Sequence, residues 1–194
     1  LMCFFILRFG ILNVIMNTFS EPKKIIENLA IDAHFQVADF GAGSGAYTKA
    51  IAEVLSSQRG GRVYAIDVHK ELLSALSSDM PDIKNEVLHT VWSDLETEKG
   101  SQLRDASIDY VCIANMLFQL EDKKAVLHEA HRILKPDALC LIVDWSDSFG
   151  NIGPKDSEII DQSWLQKMVK EIGFDIVKEI DAGAHHFGFI VKKK

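Results

Sequence analysis

Val37-Ala38-Asp39-Phe40-Gly41-Ala42-Gly43-Ser44-Gly45 is the segment from which the architecture of this chain can be read. Its first residues belong to a short apolar run over 35–40 with the character of a strand, and glycines recur at alternate positions directly after it. Glycine takes positive φ and lets backbone approach a ligand closely. A helical pattern follows over 45–57, with Ala50, Ile51, Val54 and Leu55 on its apolar face. Strand, glycine loop and helix N-terminus together suit an anionic group such as a carboxylate. The alternative is a tight turn without a ligand, which three alternate glycines argue against.

Outward from this segment, strands and helices alternate. Residues 62–67 read as a second strand, 70–78 as a helix stopped before Pro81, and 86–91 as a third strand. A fourth strand covers 108–114, a helix 122–134, and a fifth strand 139–143. The last helix is expected over 157–172, with Gly173 as its stop signal. Ahead of the glycine segment, Ser20 caps an expected helix with Pro22 in its first turn, running to about Ala30. Strands 174–180 and 186–191 close the chain around the turn 181–184. With no helix between them they pair as a hairpin, so one runs antiparallel to the rest. The fold class is therefore α/β: a doubly wound, mostly parallel seven-stranded sheet with a C-terminal antiparallel hairpin. Such a sheet offers its ligand crevice at the carboxyl ends of the first strands, at the topological switch point.

The chain has 194 residues, 47% hydrophobic and 25% charged, enough for one domain with a sizeable core. The formal net charge of −7 repels nucleic-acid phosphates, so a nucleic-acid partner is not expected. Cys112 and Cys140 lie in apolar strand-like runs and no Cys-x-x-Cys or cysteine–histidine pair has metal-ligand spacing, so no metal is expected and a reducing cytoplasm is. His128 and His131 share a helix at i, i+3 with no third ligand, which reads as a solvated helix face. Residues 1–15 are strongly apolar but interrupted by Arg8, Gly10 and Asn13. They are too short for a span and lack the marks of a signal peptide, so stable membrane insertion is not expected. Residues 1–15 are expected to be a dispensable or non-native extension, with Met16 as the natural start and 16–194 a single domain. A membrane-surface helix or an added core element is the alternative for them.

Glycine spacing alone does not choose the ligand, because Gly41, Gly43 and Ala46 also satisfy the relaxed dinucleotide pattern. Asp39, two residues before the first glycine, is an awkward charge beside a pyrophosphate, and Gly45 widens the loop to suit an amino-acid moiety. The segment 37–45 resembles motif I of the class I S-adenosylmethionine-dependent methyltransferases. It is most similar to the type 11 group, related to the ubiquinone and menaquinone biosynthesis methyltransferases. The resemblance extends from about Phe19 to the end of the chain.

The resemblance implies S-adenosyl-L-methionine as cofactor, held by Asp39, Gly41, Ala42, Gly43 and Gly45. Asp67 closes the second strand, where a carboxylate accepts hydrogen bonds from both ribose hydroxyls of a nucleoside; a strand-end cap is its structural alternative. Val68 and His69 would flank the adenine. Ser93 would add backbone contacts, and Asp94 would accept from the adenine amino group, with a helix cap ahead of Glu96 as the competing reading. Asn115, ending the fourth strand, would lie under the methionine part and face the acceptor. The chain has no Asn/Asp-Pro-Pro-Tyr/Phe and no Pro-Cys pair, which argues against methylation of amino groups on adenine or glutamine and against cytosine C5 chemistry.

The reaction such a fold implies is methyl transfer to a small-molecule acceptor, where a lipophilic quinone precursor is the family-level expectation. Alignment and exclusion of water are the main tasks, and a base is needed only for a nucleophile that holds its proton tightly. Candidate catalytic groups are Asn115, Asp144 and His185, with Asp147 a weaker base; capping explains either aspartate equally well. Residues 145–156 and the N-terminal helix are expected to shape the acceptor pocket. The chain is expected to act as a monomer or homodimer. Two rival functions are an NAD(P)-dependent oxidoreductase and a non-catalytic cofactor-binding protein of the same fold.

Overall fold

The computed structural model describes residues 21–83, 86–149 and 153–194. Ser20 and the segment 1–15 lie outside the described residues. Seven strands form one sheet: β1 (Gln36–Phe40), β2 (Arg62–Asp67), β3 (Leu88–Trp92), β4 (Ile108–Ala114), β5 (Leu134–Trp145), β6 (Phe174–Ile180) and β7 (His186–Lys193). Their order is β3-β2-β1-β4-β5-β7-β6. β1 to β5 pair in parallel, and β7 runs antiparallel to both β5 and β6. The chain winds outward from β1 through β2 to β3, then returns to place β4 on the other side of β1. The crevice expected of such a sheet therefore opens above β1 and β4.

Alternation along the strands sorts the core onto two faces. Ala38, Phe40, Val111, Ile113, Cys140 and Ile142 face helices α4 (Lys123–Ile133) and α5 (Gln162–Ile172), meeting Val126, Leu127, Ala130, Leu165 and Val169. Val37, Val63, Ala65, Tyr110, Leu141 and Val143 face α1 (Pro22–Glu27), α2 (Ala46–Val54) and α3 (Lys70–Asp79), meeting Ile25, Ile26, Ile51, Leu73 and Leu76. Asp39 falls on this second face by the same alternation, and so points at α2.

Several elements depart from their expected bounds: α1 spans Pro22–Glu27 rather than reaching Ala30, α2 ends at Val54 rather than 57, and β3 runs Leu88–Trp92 rather than 86–91. The helix expected over 157–172 begins at Gln162, because Asp161 caps it by accepting the Trp164 N–H at 2.6 Å. A short turn, Asp156–Glu158, precedes it, closed by Glu158 accepting from the Lys155 N–H at 2.9 Å. β5 starts earlier than 139, with Pro136 inside it. The register against β4 slips between Ile108 and Tyr110, and such an irregularity is where a strand tolerates proline. His131 is half-buried, edge-to-face against Phe174 with ring centroids 5.1 Å apart, so only His128 lies on the solvated face.

Candidate functional site

The glycine loop is built from within. The N–H groups of Gly41 and Ala42 both donate to the Ile66 carbonyl, at 2.9 and 3.1 Å, and Gly45 N–H donates to Ala42 O at 2.8 Å. Gly45, at φ +84°, caps α2, and a Cβ there would lie 2.3 Å from Leu76 Cδ1. Gly43, at φ +53°, is different: a Cβ there would meet nothing nearer than Gly41 O at 3.9 Å. One glycine is required by packing beneath the loop, whereas the other borders open space at the carboxyl edge of the sheet.

Asp39 lies beneath the loop, 2% exposed, and its carboxylate accepts the Thr48 hydroxyl at 2.5 Å. This bond ties the strand before the loop to the helix after it. Cys112 also bonds the carboxylate, and burial pushes the Asp39 carboxyl up to about 7. The same burial, with Asp39 beside it, raises the Cys112 thiol well above its ordinary value.

Asp67 stands at the end of β2, 7% exposed. Its Oδ2 accepts the Gly43 N–H at 2.8 Å, and its Oδ1 accepts the His69 N–H at 2.8 Å. The Nδ1 of His69 lies 2.9 Å from the same Oδ1. A carboxylate offers about four lone-pair sites, so few remain for an incoming ligand. Ser93 N–H donates to the Asp67 carbonyl at 3.1 Å, placing the turn after β3 beside it. Asp94 is exposed, and its Oδ1 accepts the Glu96 N–H at 2.9 Å, closing a local turn. Val68 is half exposed, and Trp92 beside it donates Nε1–H to Val68 O at 3.0 Å while Lys70 Nζ sits 5.0 Å from its ring.

Asn115 follows β4 with φ +53° and continues the ladder by donating its N–H to Val143 O at 2.9 Å. Its side-chain Oδ1 is buried and has no hydrogen-bond partner among the described residues. An unpaired buried carbonyl costs free energy that an added donor recovers. Met116, next in sequence, packs over Gly41. Asp144, at the end of β5, is fully buried, and its carboxylate accepts the N–H groups of Trp145 at 2.8 Å and Phe118 at 3.3 Å. Burial pushes its carboxyl up to about 6. His185, at φ +64°, bonds Asp147 through Nδ1 and stacks on Phe149 with centroids 4.5 Å apart.

The structure thus groups the glycine loop, Asp67, Val68, Ser93, Asp94 and Asn115 along one edge, while Asp39 sits below it. Asp144 and His185 lie further along the same edge, toward a cleft of about 540 Å³ between Ser146, Asp147, Ile160, Gln162 and Phe187. A second cleft, of about 370 Å³, separates α1 from the turn after β6. Sequence reasoning missed Trp92, although a lone large aromatic directly before Ser93-Asp94 was a usable signal. It also missed Thr48, Leu76 and Met116, which act through contacts between elements and left no sequence mark. Among the described residues no group of three or more histidines, cysteines or acids is placed to hold a metal ion, and no helix is long and apolar enough to cross a membrane.

Comparison with known proteins agrees with this geometry. The family described as a methyltransferase domain, of type 11, matches residues 38–142. The chain is 25% identical over 188 residues to the demethylmenaquinone methyltransferase of Geobacillus stearothermophilus, covering 87% of this chain and 76% of that protein. A SAM-dependent methyltransferase of Aquifex aeolicus superposes with a TM-score of 0.79 at 21% identity, covering 91% of this chain and 92% of the other. A protein described as a type 11 methyltransferase of Sulfolobus solfataricus gives 0.70 at 24% identity, over 91% and 94% of the two chains.

Proposed function

The chain belongs to the type 11 methyltransferase domain family, and from that premise we propose that it methylates a small molecule bearing a hydroxylated aromatic ring. It is a class I methyltransferase that uses S-adenosyl-L-methionine, which displaces the oxidoreductase reading. The acceptor class is our inference, and it rests on the similarity to a methyltransferase whose name places it on a menaquinone precursor. The net charge of −7 disfavours a polyanionic acceptor. The reading takes residues 16–194 as one catalytic domain working in the cytoplasm as a monomer or homodimer.

The observation that supports the cofactor site is the sheet edge itself, where Gly43 borders open space with its N–H held by Asp67, and where Asn115, after the neighbouring strand β4, keeps a buried Oδ1 with no hydrogen-bond partner among the described residues. Those residues fit a zwitterionic amino-acid nucleoside. Asn115 Oδ1 would accept from the ammonium end, the space at Gly43 would admit the chain, and Asp67 would take ribose hydroxyls. Because Asp67 already holds His69, ribose binding would draw on the exposed His69 ring to swing off Oδ1. Val68, Trp92 and Asp94 would border the adenine, and Ser93 would hold that border to β2. Asp39 would position the loop through Thr48 without touching ligand. Asp144, with both oxygens on backbone amides, would hold the turn after Asn115 in place and leave base chemistry to another group.

S-Adenosylmethionine supplies a methyl group on a sulfonium that is already strongly electrophilic. The protein's part is to align acceptor and methyl and to keep water out. Calorimetric titration with S-adenosylhomocysteine, followed by radiolabelled methyl transfer to 1,4-naphthohydroquinone and to non-aromatic hydroxyl compounds, tests the proposal. Binding of the cofactor product with transfer confined to the non-aromatic compounds would overturn the acceptor class. Absence of cofactor binding would overturn the site.

A further inference from the structure

We propose that the Glu129–Arg132 pair of α4 positions the turn at Ser93-Asp94 and thereby sets the selectivity of the cofactor site for adenine over a 6-oxopurine. The inference rests on the reading above in which Asp94 borders the adenine. Glu129 and Arg132 are positioning residues, acting through the segment 93–107 that joins β3 to β4.

Residues three apart on a helix are neighbours, so Glu129 and Arg132 meet on one face of α4. Arg132 donates its Nε–H to Glu129 Oε2 at 2.8 Å and an Nη2–H to Oε1 at 2.7 Å, the two-pronged arrangement that guanidinium and carboxylate favour. Glu129 is 5% exposed, and a carboxylate so buried is tolerated only when its oxygens are bonded. The remaining donors come from the segment 93–107. Ser101 gives Oε1 its N–H, at 2.9 Å, and its hydroxyl. Arg132 reaches the same segment, donating to Leu103 O at 2.9 Å and to the Asp105 carboxylate.

The segment held in this way is strained. Lys99, Gln102 and Ala106 lie at φ +54°, +57° and +48°, a left-handed conformation that L residues keep only where their surroundings enforce it. The strained segment also touches the adenine border twice, through the two neighbours of Ser101. Gly100 packs on the turn itself: a Cβ there would lie 2.2 Å from Asp94 O and 2.8 Å from Leu95 Cα. Gln102 donates its Nε2–H to Trp92 O at 3.4 Å. Thr97 closes the turn with its hydroxyl on Asp94 O at 2.7 Å, and Ser93 N–H ties it to the Asp67 carbonyl at 3.1 Å. Freeing Ser101 from Glu129 lets the strained backbone relax and carries Asp94 off its place beside β2. A directional hydrogen bond is lost to such a shift before general contact is. Recognition of the 6-amino group is therefore the property that the pair controls.

The test titrates the full chain calorimetrically with S-adenosylhomocysteine and with S-inosylhomocysteine, in which a carbonyl replaces the 6-amino group, beside thermal unfolding. Wild type should prefer the adenosyl compound at least about tenfold, the worth of one hydrogen bond to a charged group. Arg132→Lys keeps the charge but loses the two-pronged geometry. Its preference should fall to about twofold, through weaker binding of the adenosyl compound, with affinity for the inosyl compound within about twofold of wild type. Ser101→Ala removes one hydroxyl, stays folded if Arg132→Lys does not, and should show an intermediate preference. Val169→Ala, a cavity in α5, should lower the melting temperature yet keep the wild-type preference. Asp94→Ala should abolish the preference, and adding Ser101→Ala to it should change the adenosyl affinity less than about twofold. Wild-type preference in Ser101→Ala, or equal weakening of both compounds in a folded Arg132→Lys, overturns the proposal and leaves the pair a brace of the fold. Wild type that binds both compounds equally overturns the adenine reading of Asp94 on which the proposal rests. Wild type that binds neither overturns the cofactor site.

Discussion

The Asp67 carboxylate accepts the backbone N–H of Gly43 at 2.8 Å, so the end of β2 holds the loop that follows β1. The residue expected to grip ribose is therefore also a structural brace. Asp67→Ala should lower affinity for S-adenosylhomocysteine at least tenfold and should also lower stability, by about 1–3 kcal/mol, because the Gly43 and His69 amides lose their acceptor. Calorimetry beside thermal unfolding measures both. Unchanged affinity in a folded variant would remove Asp67 from the ligand site.

The two glycines Gly43 and Gly45 should separate cleanly. Gly45→Ala forces a Cβ against the side chain of Leu76, itself 1% exposed, at positive φ. It should cost roughly 2–4 kcal/mol in unfolding experiments, and Leu76→Ala in the same chain should cost less than it does alone. Gly43→Val should leave a folded protein, strained locally by about 1–2 kcal/mol, that no longer binds S-adenosylhomocysteine. Binding retained by Gly43→Val would mean that the open space there is not occupied by ligand.

Asp39 predicts a pH dependence of stability. An aspartate in the unfolded chain titrates near 3.8, and burial pushes the folded value up to about 7. Between those values the folded chain keeps a proton that the unfolded chain has released. Stability therefore falls as pH rises from about 4 to about 7, and the loss is complete above the folded value. Asp39→Asn removes this contribution. Its melting temperature relative to wild type should move upward between pH 5 and pH 8, and parallel curves would show that the carboxyl ionises without penalty.

Asn115→Gly keeps the positive φ and deletes a buried carbonyl that has no partner among the described residues. Stability should change by less than about 1 kcal/mol, while affinity for S-adenosylhomocysteine falls about tenfold. A destabilised variant with normal affinity would assign Asn115 to the fold alone.

The order of elements, the parallel sheet with its closing hairpin, and the position of the loop at 41–45 were legible in the residues themselves. Each rests on local periodicity or on glycine placement, which neighbouring residues carry. β2 and β4 coincide with their expected bounds for that reason. The roles of individual carboxylates were not legible, because burial and partners come from distant segments. Asp39 meets Thr48 only once α2 packs on the sheet and Cys112 only when β1 and β4 pair, and Asp67 meets Gly43 only when β1 and β2 pair. Asp144 accepts the Phe118 N–H only once the turn after β4 folds beside β5. Sequence alone carried chemistry at the level of residue type and order; tertiary structure decided which charges are solvated, which are spent as braces, and which face open space.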